Sequence, residues 1–147
     1  MFKKLLVPTD GSALSRKAAQ QAARIAKSLD AKIVAFHVAP AYRYSVYADY
    51  IPPDFETPRA YAERARKIAE GHLAVVRKIA LKVGVPCDTA YDTSDFPADA
   101  ILKAAKKYGC DAIAMGTHGR SGIAKLLLGS ETMKVLTHGR VPVIVLR

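Results

Sequence analysis

Residues 112–132 read AIAMGTHGRSGIAKLLLGSET. Ala112 to Met115 is a short apolar run of strand type, broken by Gly116, Gly119 and Gly122. One further apolar segment, Lys125 to Leu128, leads to Gly129-Ser130, where a helical pattern begins. Glycines at such a break let the backbone take positive φ and come close to a ligand. A Gly-Ser pair at a helix start leaves N–H groups without intrahelical acceptors, and these suit an anion such as phosphate. The spacing is Gly, two residues, Gly, nine residues, Gly-Ser. It is neither the P-loop, which needs Gly-Lys-Ser/Thr, nor the dinucleotide GxGxxG. On spacing alone, a phosphate loop and a loop merely turned by glycines stand level.

Upstream, the chain alternates strand and helix signals. Lys4 to Val7 reads as a buried strand, ended by Pro8-Thr9-Asp10-Gly11-Ser12, with Ser12 placed to cap a helix. Leu14, Ala18, Ala22, Ile25 and Leu29 recur at helical spacing and predict its inward face. Lys32 to Val38 is rich in strand formers, and His37 within it lacks a partner at metal-ligand spacing. From Arg59 to Val83, Tyr61, Ala65, Ile68, His72, Val76, Ile79 and Val83 predict a second helix, stopped by Gly84-Val85-Pro86. Cys87 to Asp92 reads as an exposed or edge strand. A third helix follows Phe96-Pro97 to about Tyr108, with Ile101, Leu102 and Ala105 inward. Downstream of the glycine stretch, a helix over Ser130–His138 precedes a last strand, Val141 to Leu146. Strand-helix alternation with short apolar strands predicts an α/β domain spanning 1–147, an open parallel five-stranded sheet with helices on both faces.

One interval does not alternate. Ala39 to Pro58 holds four prolines and Tyr42, Tyr44, Tyr47, Tyr50 and Phe55, from a chain with seven tyrosines and four phenylalanines. Two readings stand side by side: a loop that packs its rings on the body, or a lid or partner surface.

Composition narrows the function classes. Half of the 147 residues are hydrophobic and 24% charged, as in ordinary globular domains. No apolar run approaches the roughly 20 residues needed to span a bilayer. The start, MFKKLLVPTDGS, is too short in apolar residues for a signal peptide, so a cytoplasmic location is expected. Cys87 and Cys110 fit neither a disulfide framework nor a metal site. The net charge of +10 suggests nucleic acid or another polyanion, but the basic residues are spread over several helices without a run of five. Solvated helix faces are the preferred reading, and nucleic acid is not expected as a partner.

In open parallel sheets, ligands bind beyond the carboxyl ends of the strands where the strand order reverses. Winding outward through strands two and three and returning beside strand one gives the order 3-2-1-4-5. The reversal then falls between strands one and four. Those strands end in the two most unusual loops, Pro8-Thr9-Asp10-Gly11 and Gly116-Thr117-His118-Gly119. This coincidence favours phosphate over a mere turn.

These residues carry a resemblance. Val7-Pro8-Thr9-Asp10-Gly11-Ser12, Val38, Met115 to Gly122 and Leu128-Gly129-Ser130 resemble the single-domain, ATP-binding type of universal stress protein. The signature Gly-x2-Gly-x9-Gly-Ser/Thr is met by Gly116, Gly119, Gly129 and Ser130. The resemblance implies an adenine nucleotide alpha hydrolase-like fold with sheet order 3-2-1-4-5, and a homodimer. By it, Asp10 and Val38 hold the adenine and ribose end, Pro8 and Thr9 line the same crevice, and Met115 and Gly116 approach the ribose. Gly119, Gly129 and Ser130 cradle the phosphates, with Arg120, Ser121 and Thr132 in reach and Thr117 and His118 in the same loop. The pattern departs at Glu131, where the family often has a small or aliphatic residue. A carboxylate there suits the helix dipole and opposes a triphosphate, unless it points away or meets Mg²⁺.

The function expected is an ATP-binding regulator or sensor in the cytoplasmic stress response, acting on a downstream protein and dimerising through strand five (the alternative for that edge being cover by the long aromatic loop). The alternative is a slow ATP-hydrolysing or nucleotidyl-transfer enzyme of the same fold. No Walker lysine or nucleophile–base set is readable, and no catalytic residue is assigned.

Overall fold

Leu5, Leu6 and Val7 are wholly buried, and their side chains alternate between two hydrophobic cores. That alternation marks a strand covered on both faces. A computed structural model describes residues 1–43, 55–117 and 128–147. Among these, the elements run β1 (Lys4–Pro8), α1 (Ala13–Ser28), β2 (Lys32–Ala39), α2 (Pro58–Lys82), β3 (Cys87–Thr93), α3 (Pro97–Lys107), β4 (Ala112–Gly116), α4 (Ser130–His138) and β5 (Val143–Leu146). The sheet has the order β3-β2-β1-β4-β5, with every neighbouring pair parallel. The expected architecture and strand order are both present.

One core lies under α1 and α2, where Leu5, Val7, Ile33 and Ala35 meet Ala22, Ala26, Leu73 and Val76. The other lies under α3 and α4, where Leu6, Val34, Phe36, Ile113 and Met115 meet Ile101, Ala104 and Val135. Two helical stripes differ from expectation. Helix α1 buries Ser15, Ala18, Ala19, Ala22, Ala23 and Ala26, and Leu14 is 47% exposed. Helix α2 buries Ala65, Ala69, Leu73, Val76 and Ala80, leaving Ile68 exposed. In both, alanine lets the helix backbone sit close to the sheet. The contact stripe is therefore turned toward the small residues and away from the bulkiest apolar ones.

The sheet edges contrast. Strand β3 is the expected edge, with exposed Asp88 and Asp92 that discourage pairing with another chain. Strand β5 forms the opposite edge, and its Val-Ile-Val-Leu run is only partly buried. It begins at Val143, later than expected, after Pro142, whose carbonyl accepts Ile113 N–H at 2.9 Å.

Candidate functional site

The loop after β1 is built locally. Thr9 N–H donates to Phe36 O at 2.8 Å, extending the ladder one residue past Pro8. Asp10 Oδ1 then accepts Ser12 N–H at 2.9 Å, closing an Asx turn. Gly11 takes a φ of 78°, and an added Cβ would lie 2.1 Å from the His72 ring. Ser12 accepts Ser15 N–H at 3.1 Å and caps α1. Ser15 Oγ is itself buried, 3.2 Å from Thr9 Oγ1. His37 backs the loop, with Nδ1 2.8 Å from Thr9 O and its ring edge-on to His72 at 5.1 Å. Both histidines therefore support the Asp10 loop.

The second loop begins where β4 ends. Thr117 N–H donates to Leu146 O, and Thr117 O accepts Gly129 N–H at 2.7 Å. That bond ties the two sides of the glycine break together and takes the Gly129 donor. Thr132 is 3% exposed, and its Oγ1 donates to Gly116 O at 3.0 Å. Its hydroxyl thus anchors α4 to the end of β4. Helix α4 starts at Ser130 with Gly129 as N-cap and no side-chain cap. Its first-turn N–H groups lack intrahelical acceptors by helix geometry, and the helix presents its positive end there.

Glu131 does not simply face the opening. Its Oε2 accepts Ala98 N–H at 2.9 Å and its Oε1 accepts Lys134 Nζ at 3.0 Å. The carboxylate is engaged by α3 and by its own helix.

Between these loops lies a cavity of about 300 Å³. Pro8, Thr9, Asp10, Val38, Met115 and Gly116 line it from the strand ends, and Gly129, Ser130, Glu131 and Thr132 from α4. The residues singled out in the sequence thus meet at one place, where β1 and β4 pair at the sheet's reversal. Thr117 does not line it but accepts the N–H of Gly129, which does. His118, Gly119, Arg120 and Ser121 lie outside the described residues, as do Tyr44, Tyr47 and Tyr50 of the aromatic interval. Of that interval, Tyr42 donates to Glu56 O at 2.6 Å and its ring lies 5.3 Å from Tyr61.

Four lining residues escaped the sequence: Ser15, Phe36, Pro97 and Ile101. Phe36 was within reach, since it shares a strand face with Val38 two positions on. Ser15 carried a weaker signal, as a polar residue in line with an alanine stripe. Pro97 and Ile101 reach the cavity only because α3 packs beside α4.

The cavity is chemically mixed. Phe36, Val38, Ile101 and Met115 give it an apolar lining, and the start of α4 borders the same space. Such a crevice suits a flat apolar ring at one end and an anion at the other. Neither thiol belongs to it. Burial pushes the Cys110 thiol up to about 11 and raises that of Cys87 as well. Cys87 and Cys110 sit in different cores, on opposite faces of the sheet.

Comparison with known proteins agrees with this geometry. A universal stress protein of Methanocaldococcus jannaschii is 32% identical over 152 aligned residues, covering 100% of this chain and 83% of that protein. Among solved structures, a universal stress protein in complex with cAMP superposes with a TM-score of 0.74 at 22% identity, covering 99% of this chain and 97% of that one. An Arabidopsis thaliana universal stress protein family member with AMP bound superposes at a TM-score of 0.67 and 18% identity, covering 98% and 90%. At these identities the structural likeness shows a shared fold. The sequence pattern of the universal stress protein family matches residues 1–147, and the chain belongs to that family.

Proposed function

We propose that this chain binds adenine nucleotides, ATP among them, in the crevice between β1 and β4, and serves as a nucleotide-dependent regulator in the cytoplasmic stress response. The observation that carries the proposal is the cavity's mixed lining: apolar Phe36, Val38, Ile101 and Met115 together with the N-terminus of α4. An adenine ring matches the first and phosphate matches the second. The ligands of the two structural neighbours, cAMP and AMP, support the same ligand class.

In this reading the backbone around Asp10 and Val38 holds the base and ribose, and Ser130 with the first turn of α4 meets the phosphates. Gly119 belongs to the phosphate end by the family signature, with Arg120 and Ser121 as its neighbours in sequence. Mg²⁺ enters as a counter-ion carried on the phosphates. Asp10 and Glu131 already accept backbone N–H groups, and among the described residues no group of three or more metal-ligating side chains converges. The same engagement of both carboxylates favours a regulator over a hydrolase. A homodimer through β5 completes the proposal.

Ser130→Asp tests the site with little risk to the fold, because an acidic residue in the first turn suits a helix. By calorimetric titration, ATP and AMP should bind wild type and bind the variant at least about tenfold more weakly, one lost charge-assisted contact or more. Adenosine binding should change little. Equal ATP affinity in both proteins would place the phosphates elsewhere. Phosphate release above background, absent in Asp10→Ala, would replace the regulator with an enzyme.

A further inference from the structure

Helix α3 begins without a cap of its own. Its N-cap is Phe96, which makes no side-chain capping bond, and Pro97 follows with no N–H to offer. Ala98 carries the first N–H of α3 that helix geometry leaves without an acceptor. Glu131, 33 positions further along and on a different helix, accepts that N–H at 2.9 Å. Lys134 holds the other carboxylate oxygen from the next turn of α4 at 3.0 Å. The starts of α3 and α4 are therefore joined by one side chain at the cavity. Helix α3 contributes Pro97 and Ile101 to the apolar lining, whereas α4 contributes the anion-binding end through Ser130.

We propose that Glu131 is a positioning residue which, by capping α3 from α4, sets the separation between the apolar lining and the anion-binding end and so tunes affinity for the nucleoside part of the ligand. The proposal rests on the adenine-nucleotide reading of this cavity. Its mechanism is a hydrogen bond and not a charge: the acceptor oxygen matters, and the carboxylate's negative charge is balanced by Lys134 and by the positive ends of two helices. Gln can supply the same acceptor without the charge, whereas Ala supplies neither.

The discriminating ligand is adenosine, which carries no phosphate. Glu131→Ala should weaken adenosine and ATP by a similar factor, about five- to tenfold, the worth of one hydrogen bond. Glu131→Gln should recover most of that loss for both ligands. Glu131 acting as a charge on the phosphates gives a different pattern: both variants bind ATP more tightly and adenosine unchanged. That result would overturn the proposal. Unchanged affinity of Glu131→Ala for every ligand would overturn it too.

Amide hydrogen exchange separates failure of the latch from failure of the nucleotide reading. Without ligand, the Ala98 amide should exchange slowly in wild type and Glu131→Gln and at least about tenfold faster in Glu131→Ala, as a lost hydrogen bond implies. If Ala98 exchanges alike in all three proteins, the latch does not exist, whatever binds. If Ala98 responds as expected but wild type binds no adenine compound, the nucleotide reading fails, and with it the tuning role of Glu131.

Discussion

Gly11 and Gly71 answer oppositely to an added methyl group. At Gly11 the φ of 78° strains any L side chain, and a Cβ would overlap the His72 ring at 2.1 Å. At Gly71, inside α2, a Cβ meets nothing within 4 Å. Gly11→Ala should therefore destabilise by more than about 2 kcal/mol, from left-handed strain plus the overlap. Gly71→Ala should stabilise by roughly 0.5–1 kcal/mol through helix propensity alone. Urea titration of both variants checks the pair; a Gly11→Ala protein as stable as wild type would contradict the packing of His72 against the loop. The thiols give a second residue-scale prediction. Burial holds Cys110 protonated, up to about 11, so neither cysteine should react with an alkylating reagent at pH 7–8 until the chain unfolds. Rapid labelling of native protein would mean that the thiols are not in the two cores. At this scale the sequence was readable where chemistry is local: Ser12 as a cap, and Pro8 to Ser12 as the break after β1. It was silent on Gly11, whose need for glycine arises from a ring 61 positions away.

Elements show how caps divide into local and borrowed. Ser12 caps α1 and Thr57 caps α2, each accepting the N–H three residues on, at 3.1 Å. Ser12→Ala should cost about 1 kcal/mol, the usual worth of such a cap, read as a fall in the thermal midpoint. Nucleotide affinity should change little, since the Asp10 turn is closed by the Ser12 backbone N–H, which alanine keeps. A loss of binding larger than the loss of stability would tie the Ser12 hydroxyl to the site. The cap of α3 comes instead from α4 through Glu131. Helical periodicity placed α1 and α2 well, yet it turned their buried faces toward Leu14 and Ile68. Periodicity weighs side chains by size, whereas close seating on a sheet rewards alanine.

For the whole molecule, the two edges of the sheet set what it can join. Strand β3 carries exposed aspartates, and β5 presents a partly buried aliphatic run with one side unpaired within the sheet. Ile144→Lys should convert a homodimer into a folded monomer, seen by sedimentation or sizing with an unchanged circular dichroism spectrum. A variant that remains a folded dimer would move the interface away from β5. The same sheet shows what the sequence determined by itself. Strand and helix alternation, the apolar strands and two loops at the ends of β1 and β4 followed from local periodicity and turn chemistry. The resemblance carried by those loops added the strand order and ten of the cavity's lining residues. Tertiary structure alone decided the rest: that Pro97 and Ile101 reach the cavity from α3, that Gly129 N–H is taken by Thr117, and that Glu131 caps a neighbouring helix. Each of these depends on how two elements distant in sequence are seated against each other. Periodicity in one segment records which face is buried, but not which partner's backbone waits across the gap.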